Sequence, residues 1–244
     1  MTIRTATVAH HQVDGDLEFQ QWAEAAVTHG GEYRFTHHGR SRLYSTAQNL
    51  EKAIGRIEHG GNASLVSDVP PYSSSTFLVR GRLPGAAIDL SVSDVQAAGG
   101  QLQSLVLSSS RKFPSTIREA AVLIGDRFYS LSVGDGVLML GQPTGTVAHP
   151  RDRRESRINQ SFDPEFDNYR EVEEAFEDLY EGLVLRSLGQ SNRMKAAHFR
   201  LPPGRMRVFV YARTPDSLSV QVDEDVDQIG CVLHTWDFAT GGSP

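Results

Sequence analysis

The chain has 244 residues, 39% of them hydrophobic and 22% charged, which places it among ordinary globular proteins rather than disordered, fibrous or membrane ones and allows one large domain or two small ones. A formal net charge of -6 and an isoelectric point near 5.8 argue against a general nucleic-acid binder, because neutralising many phosphates takes a basic surface. The single cysteine, Cys231, excludes an intrachain disulfide and any zinc site built from several cysteines.

Residues 2–9 alternate β-branched with small or polar side chains and predict a strand. Asp16 then reads as the cap of a helix over 16–29, in which Phe19, Trp22, Ala23, Ala26 and Val27 recur at helical spacing before Gly30 and Gly31. Two short strands are expected over 32–45 around Gly39. A second helix follows over 46–59, with Leu50, Ala53, Ile54 and Ile57 on one face.

The Pro70-Pro71 pair and three serines mark a loop, after which 76–82 and 86–92 predict a hairpin around Leu83-Pro84-Gly85. Between Ser93 and Ser108 a helix is favoured, although Gly99 and Gly100 weaken it and Leu105-Val106-Leu107 fits a strand equally well. The stretch 119–141 carries the strongest β signal: three apolar runs separated by Gly125-Asp126 and Gly134-Asp135-Gly136 predict an antiparallel meander.

Residues 143–162 combine Pro143, Gly145, Pro150 and a charged run without apolar periodicity, and read as a loop or linker between an N-terminal α+β region, 1–142, and a C-terminal region, 163–244, of a helix and β-strands that either stands as a separate domain or completes the same one. Asp163-Pro164-Glu165 is a good helix start. The helix expected over 163–188 has an apolar stripe of Phe166, Tyr169, Val172, Phe176, Leu179 and Leu183 and a strongly acidic opposite face. A shorter helix over 191–199 and strands at 206–212, 218–222 and 229–236 complete the chain. The expected fold class is therefore α+β: mostly antiparallel mixed sheet with three main helices.

Few residues carry chemistry. Each adjacent pair, His10-His11 and His37-His38, offers at most one ligand to a common metal, because neighbouring side chains on a strand face opposite ways. Cys231 lies between Gly230 and Val232 and reads as a small core hydrophobe. The acidic run from Asp223 to Asp227 resembles a calcium loop but carries Gln228 at the sharp-turn glycine and His234 at the bidentate position, so a solvated turn is expected. Phosphate-binding, dinucleotide and nucleophile-elbow signatures do not occur.

These features point first to a non-enzymatic protein-interaction or assembly protein, with a protein partner or self-association and with neither metal nor cofactor. Arg151, Arg153, Arg154 and Arg157 supply forked donors for an anion or an acidic partner. One alternative is a hydrolase or transferase with a dispersed histidine–carboxylate site, for which His37, His38, His198 and Asp89 are the candidates. The other is an RNA or nucleotide binder acting through the arginine run. The N-terminal residues lack the apolar core of a signal peptide and no run reaches ~18 consecutive apolar residues, so a cytoplasmic protein without membrane contact is expected.

Overall fold

A computed structural model describes residues 1–37, 40–45, 55–58, 64–98, 101–109, 111–113, 116–125, 127–134, 136–140, 183–184, 187–188 and 201–240. Its strands are β1 (Thr2–His11), β2 (Leu17–Val27), β3 (Gly31–His37), β4 (Arg40–Ser45), β5 (Gly55–Glu58), β6 (Ser64–Val69) and β7 (Ser73–Leu83). There follow β8 (Leu90–Ala98), β9 (Gln101–Ser109), β10 (Ile117–Ile124), β11 (Arg127–Val133) and β12 (Val137–Leu140). The last three are β13 (Arg205–Arg213), β14 (Val220–Val222) and β15 (Asp227–Ala239), with a 3-10 turn at Asp216–Leu218. The chain divides into two compact units, Met1–Ala87 with Arg213–Val232, and Ile88–Ala212 with Leu233–Pro244.

In the first unit one sheet has the order β4-β7-β2-β1, followed by the start of β15, and a second has the order β14-β3-β6-β5. The sheets face each other. Phe35 of β3 meets Phe77 of β7 at 4.8 Å between ring centroids, and Ile3, Leu43, Leu65 and Val79 are buried with them. Gly81 lets β7 pass over a large side chain: a Cβ there would lie 2.5 Å from the ring of Phe19 and 3.1 Å from the Cβ of Ser41.

In the second unit β13-β10-β11-β12-β9-β8 follow in order, with the rest of β15 beside β13. Trp236 anchors this core by donating its indole N–H to the Ile88 carbonyl at 2.8 Å, packed with Leu105, Leu107, Val122, Leu138 and Val208. The central strands are buried on both faces, since Leu123, Phe209 and Tyr211 point away from that cluster and are also enclosed.

The α+β expectation is corrected: the described chain is nearly all β, and three main helices are not its architecture. Residues 17–27 form β2, not a helix, with Leu17, Phe19, Gln21, Ala23, Ala25 and Val27 buried in strict alternation. Trp22 and Ala26, read as part of a helical stripe, face away from Phe19 and Val27. Pairing decides the matter, because β2 is bonded along ten positions to β1 and along eleven to β7, and such tertiary context outweighs a periodicity that alanines satisfy either way. Within the helix expected at 46–59, residues 55–58 are strand β5 and the others lie outside the described residues.

The helix favoured from Ser93 to Ser108 is instead the antiparallel pair β8 and β9, the strand alternative that Leu105-Val106-Leu107 allowed. The hairpin expected over 76–92 does not form either. The turn at Pro84-Gly85 exists, with Gly85 at φ +65, but β7 pairs with β2 and β4 while β8 pairs with β9. Of the helix expected over 163–188 only its end is described: Leu183, Val184 and Ser187 are helical and the Leu188 N–H donates to the Val184 carbonyl. The meander over 119–141 is present as β10, β11 and β12. No helix among the described residues is long and apolar enough to cross a membrane.

Candidate functional site

A buried polar cluster in the first unit fixes where the edge of its second sheet ends. Gln21 faces the interior of β2 and donates through Nε2 to Thr7 Oγ1 at 3.0 Å and to the Leu218 carbonyl at 2.7 Å. His37 Nε2 lies 3.2 Å from the same carbonyl, and because a carbonyl only accepts, the ring must carry its proton there. The ring also stacks on Phe19 at 4.5 Å. Two strands, β2 and β3, thus hold the last residue of the 3-10 turn, with Thr7 of β1 accepting from the same amide, and the chain leaves the turn directly into β14.

β14 is short. It pairs with β3 at His37, Thr36 and Phe35 only, whereas β6 pairs with β3 from Gly31 to Thr36. The outer side of β14 is capped by a side chain: the Val220 N–H donates to Gln228 Oε1 at 3.1 Å, and Gln228 Nε2 donates back to the Val220 carbonyl. A glutamine that imitates a neighbouring strand in this way blunts the edge at Val220.

Past Val222 the chain bends away, and a groove of about 160 Å³ opens beside the first half of β3. Glu32, Tyr33 and Arg34 line one side and Val222, Asp223 and Glu224 the other. The Tyr33 ring is buried, with its hydroxyl donating to the His29 carbonyl, while Glu32, Arg34, Asp223 and Glu224 are exposed. Arg34 also reaches Ser64 Oγ at 3.3 Å on β6. Three carboxylates against one guanidinium make the groove acidic.

Of the histidine–carboxylate candidates two fall among the described residues, one in each unit. His37 is fully buried in the first unit, Asp89 is exposed between β7 and β8 in the second, and His38 and His198 lie outside the described residues. Arg151, Arg153, Arg154 and Arg157 also lie outside them. Cys231 is buried, with its thiol 3.9 Å from the Thr5 carbonyl. His234 is enclosed too, and burial lowers its pKa from 6.5 to about 4. Asp223, Glu224 and Asp225 are exposed, and no group of three or more His, Cys, Asp or Glu suited to a metal ion occurs among the described residues.

Sequence reasoning missed Gln21, Gln228 and the groove itself. The partner of Gln21 lies 197 residues away along the chain at Leu218, and Gln228 meets Val220 across a bend that only the folded chain makes, so no sequence pattern marks them.

No family model matches the sequence, and no curated protein matches it. Among solved structures the chain is similar to the Fcho1 Mu homology domain of Danio rerio with bound Eps15 peptide, at a TM-score of 0.36 and 6% identity over 97% of this chain and 94% of that one. It is also similar to the yeast delta-COP-I mu-homology domain complexed with a Dsl1 WxWxV peptide, at a TM-score of 0.32 and 11% identity over 98% of this chain and 95% of that one. Superposition at this level establishes neither a family nor a shared function.

Proposed function

We propose that the chain is a protein-interaction module that takes up an extended, basic segment of a partner along the first half of β3. The observation that carries this reading is the step in the sheet edge: β14 stops at Phe35, and the acidic groove continues along Gly31–Arg34 in the place a further strand would occupy. An added strand gains affinity from main-chain hydrogen bonds and selectivity from alternate side chains. Here Glu32, Asp223 and Glu224 favour lysine or arginine at the positions that face the groove.

A labelled peptide of alternating lysine and valine serves as the probe, with a version carrying proline at the central position as its control. Anisotropy should show binding of the first and not the second, since proline lacks the N–H that strand addition needs. Hydrogen exchange should slow at Gly31–Arg34 in the complex. Replacing Asp223 and Glu224 by lysine should weaken binding by about tenfold or more. Equal binding of the proline peptide, or binding without slowed exchange at Gly31–Arg34, would mean simple charge attraction and would overturn the proposal.

A further inference from the structure

The groove along β3 is closed at one end, and that end carries its own chemistry. β14 runs against β3, with Val220 opposite His37 and Val222 opposite Phe35. A segment seated beside Gly31–Arg34 therefore lies in line with β14, and its end nearest Phe35 stops where Val222 stands. There the protein's own chain leaves the sheet: Asp223 and Glu224, both exposed, follow Val222 and line the groove at that end.

Register turns this closure into a direction. A segment that runs against β3, as β14 does, begins opposite Arg34 and places its first residue at the closed end, whereas a segment that runs with β3 places its last residue there. One residue along a strand is ~3.4 Å, so the terminal group of such an occupant falls beside residues 223 and 224. Two carboxylates repel a terminal carboxylate and accept charge-assisted hydrogen bonds from a terminal ammonium. A segment from the middle of a chain fits less well, because to continue past Arg34 it must leave the sheet through the space by which Asp223 and Glu224 already leave. Gln228 closes the other route, along the outer side of β14 at Val220.

We infer that the groove reads a free protein N-terminus, with the partner's α-ammonium beside Asp223 and Glu224, its first residue opposite Arg34, its third opposite Glu32, and its chain antiparallel to β3. The inference rests on the strand-addition reading above and narrows it from a basic segment to a chain end. Residues directly opposite each other share a face of the sheet. The partner's third residue thus stands outward beside Glu32, where lysine or arginine is favoured, and its second stands with the buried Tyr33, where an apolar side chain is favoured.

The test uses two hexapeptides of one sequence, serine followed by alternating valine and lysine, each with a fluorophore at the carboxyl end. One has a free amine and the other is acetylated. Anisotropy should show the free amine binding at least about tenfold tighter. The double substitution Asp223→Asn with Glu224→Gln should bring the free-amine peptide down to the affinity of the acetylated one, and because both side chains are exposed it should leave the melting temperature unchanged. Equal affinity of the two peptides, or a free-amine advantage that survives the double substitution, would overturn the inference; strand addition would still stand if both peptides slow exchange at Gly31–Arg34. Failure of either peptide to bind at all would remove the strand-addition reading and this inference together.

Discussion

Acidification should destabilise the second unit through one side chain, His234. Its ring is 2% exposed and burial holds its pKa near 4, against 6.5 for an ordinary histidine. Between these two values the unfolded chain binds a proton that the folded chain refuses, so stability is complete above pH 6.5 and declines as pH falls towards 4. At about 1.4 kcal/mol per pH unit, the loss reaches about 3 kcal/mol near pH 4. Urea unfolding at closely spaced pH values measures it, followed by fluorescence in a Trp22→Phe background so that Trp236, 5.9 Å from the His234 ring, reports alone.

Other groups titrate in the same range, and the difference between wild type and His234→Phe isolates the histidine. Glu24, in the first unit, works the other way: burial raises its pKa, so its contribution falls as pH rises through that raised value. His234→Phe should flatten the decline of the second unit between pH 6.5 and 4 by about 3 kcal/mol. Parallel curves for the two proteins would show that burial does not hold the ring neutral, and the reasoning would fail.

Gly81→Ala should lower stability by about 1–3 kcal/mol, because the new methyl meets the Phe19 ring at 2.5 Å; thermal melts check this, and adding Phe19→Leu should recover part of the loss. Gln21→Leu should cost about 1–3 kcal/mol by removing a donor from the buried Leu218 carbonyl and from Thr7, and exchange at Val220–Val222 should quicken before the rest of the unit responds.

What the sequence revealed depended on whether a segment's partners were near it. The meander of β10, β11 and β12 was legible because each strand pairs with the next through a glycine-bearing turn. β2 was not, because Gln21 sits among its inward residues and breaks the apolar alternation, and the groups that satisfy Gln21 come from Thr7 and Leu218. The hairpin at 76–92 failed for a related reason: turn chemistry fixes a bend at Gly85 but not which strands flank it. His37 was singled out for its imidazole, and that ring bonds a carbonyl on a 3-10 turn and stacks on Phe19. The groove needs Glu32 and Glu224 side by side, a juxtaposition that exists only after the sheet has formed.

The first unit is assembled from two stretches far apart in the chain, and this bears on its birth at the ribosome. Met1–Ala87 emerges without Arg213–Val232, and therefore without the 3-10 turn that Gln21 and His37 grip, without β14, and without the strand that flanks β1. Translation must first run through Ile88–Ala212, on the order of ten seconds at ~10 residues per second. Throughout that interval the nascent sheet carries an open flank at β1 and a buried glutamine still lacking the Leu218 carbonyl. The newborn chain is thus exposed to aggregation for longer than its first strands alone would suggest, and a chaperone would find its substrate there.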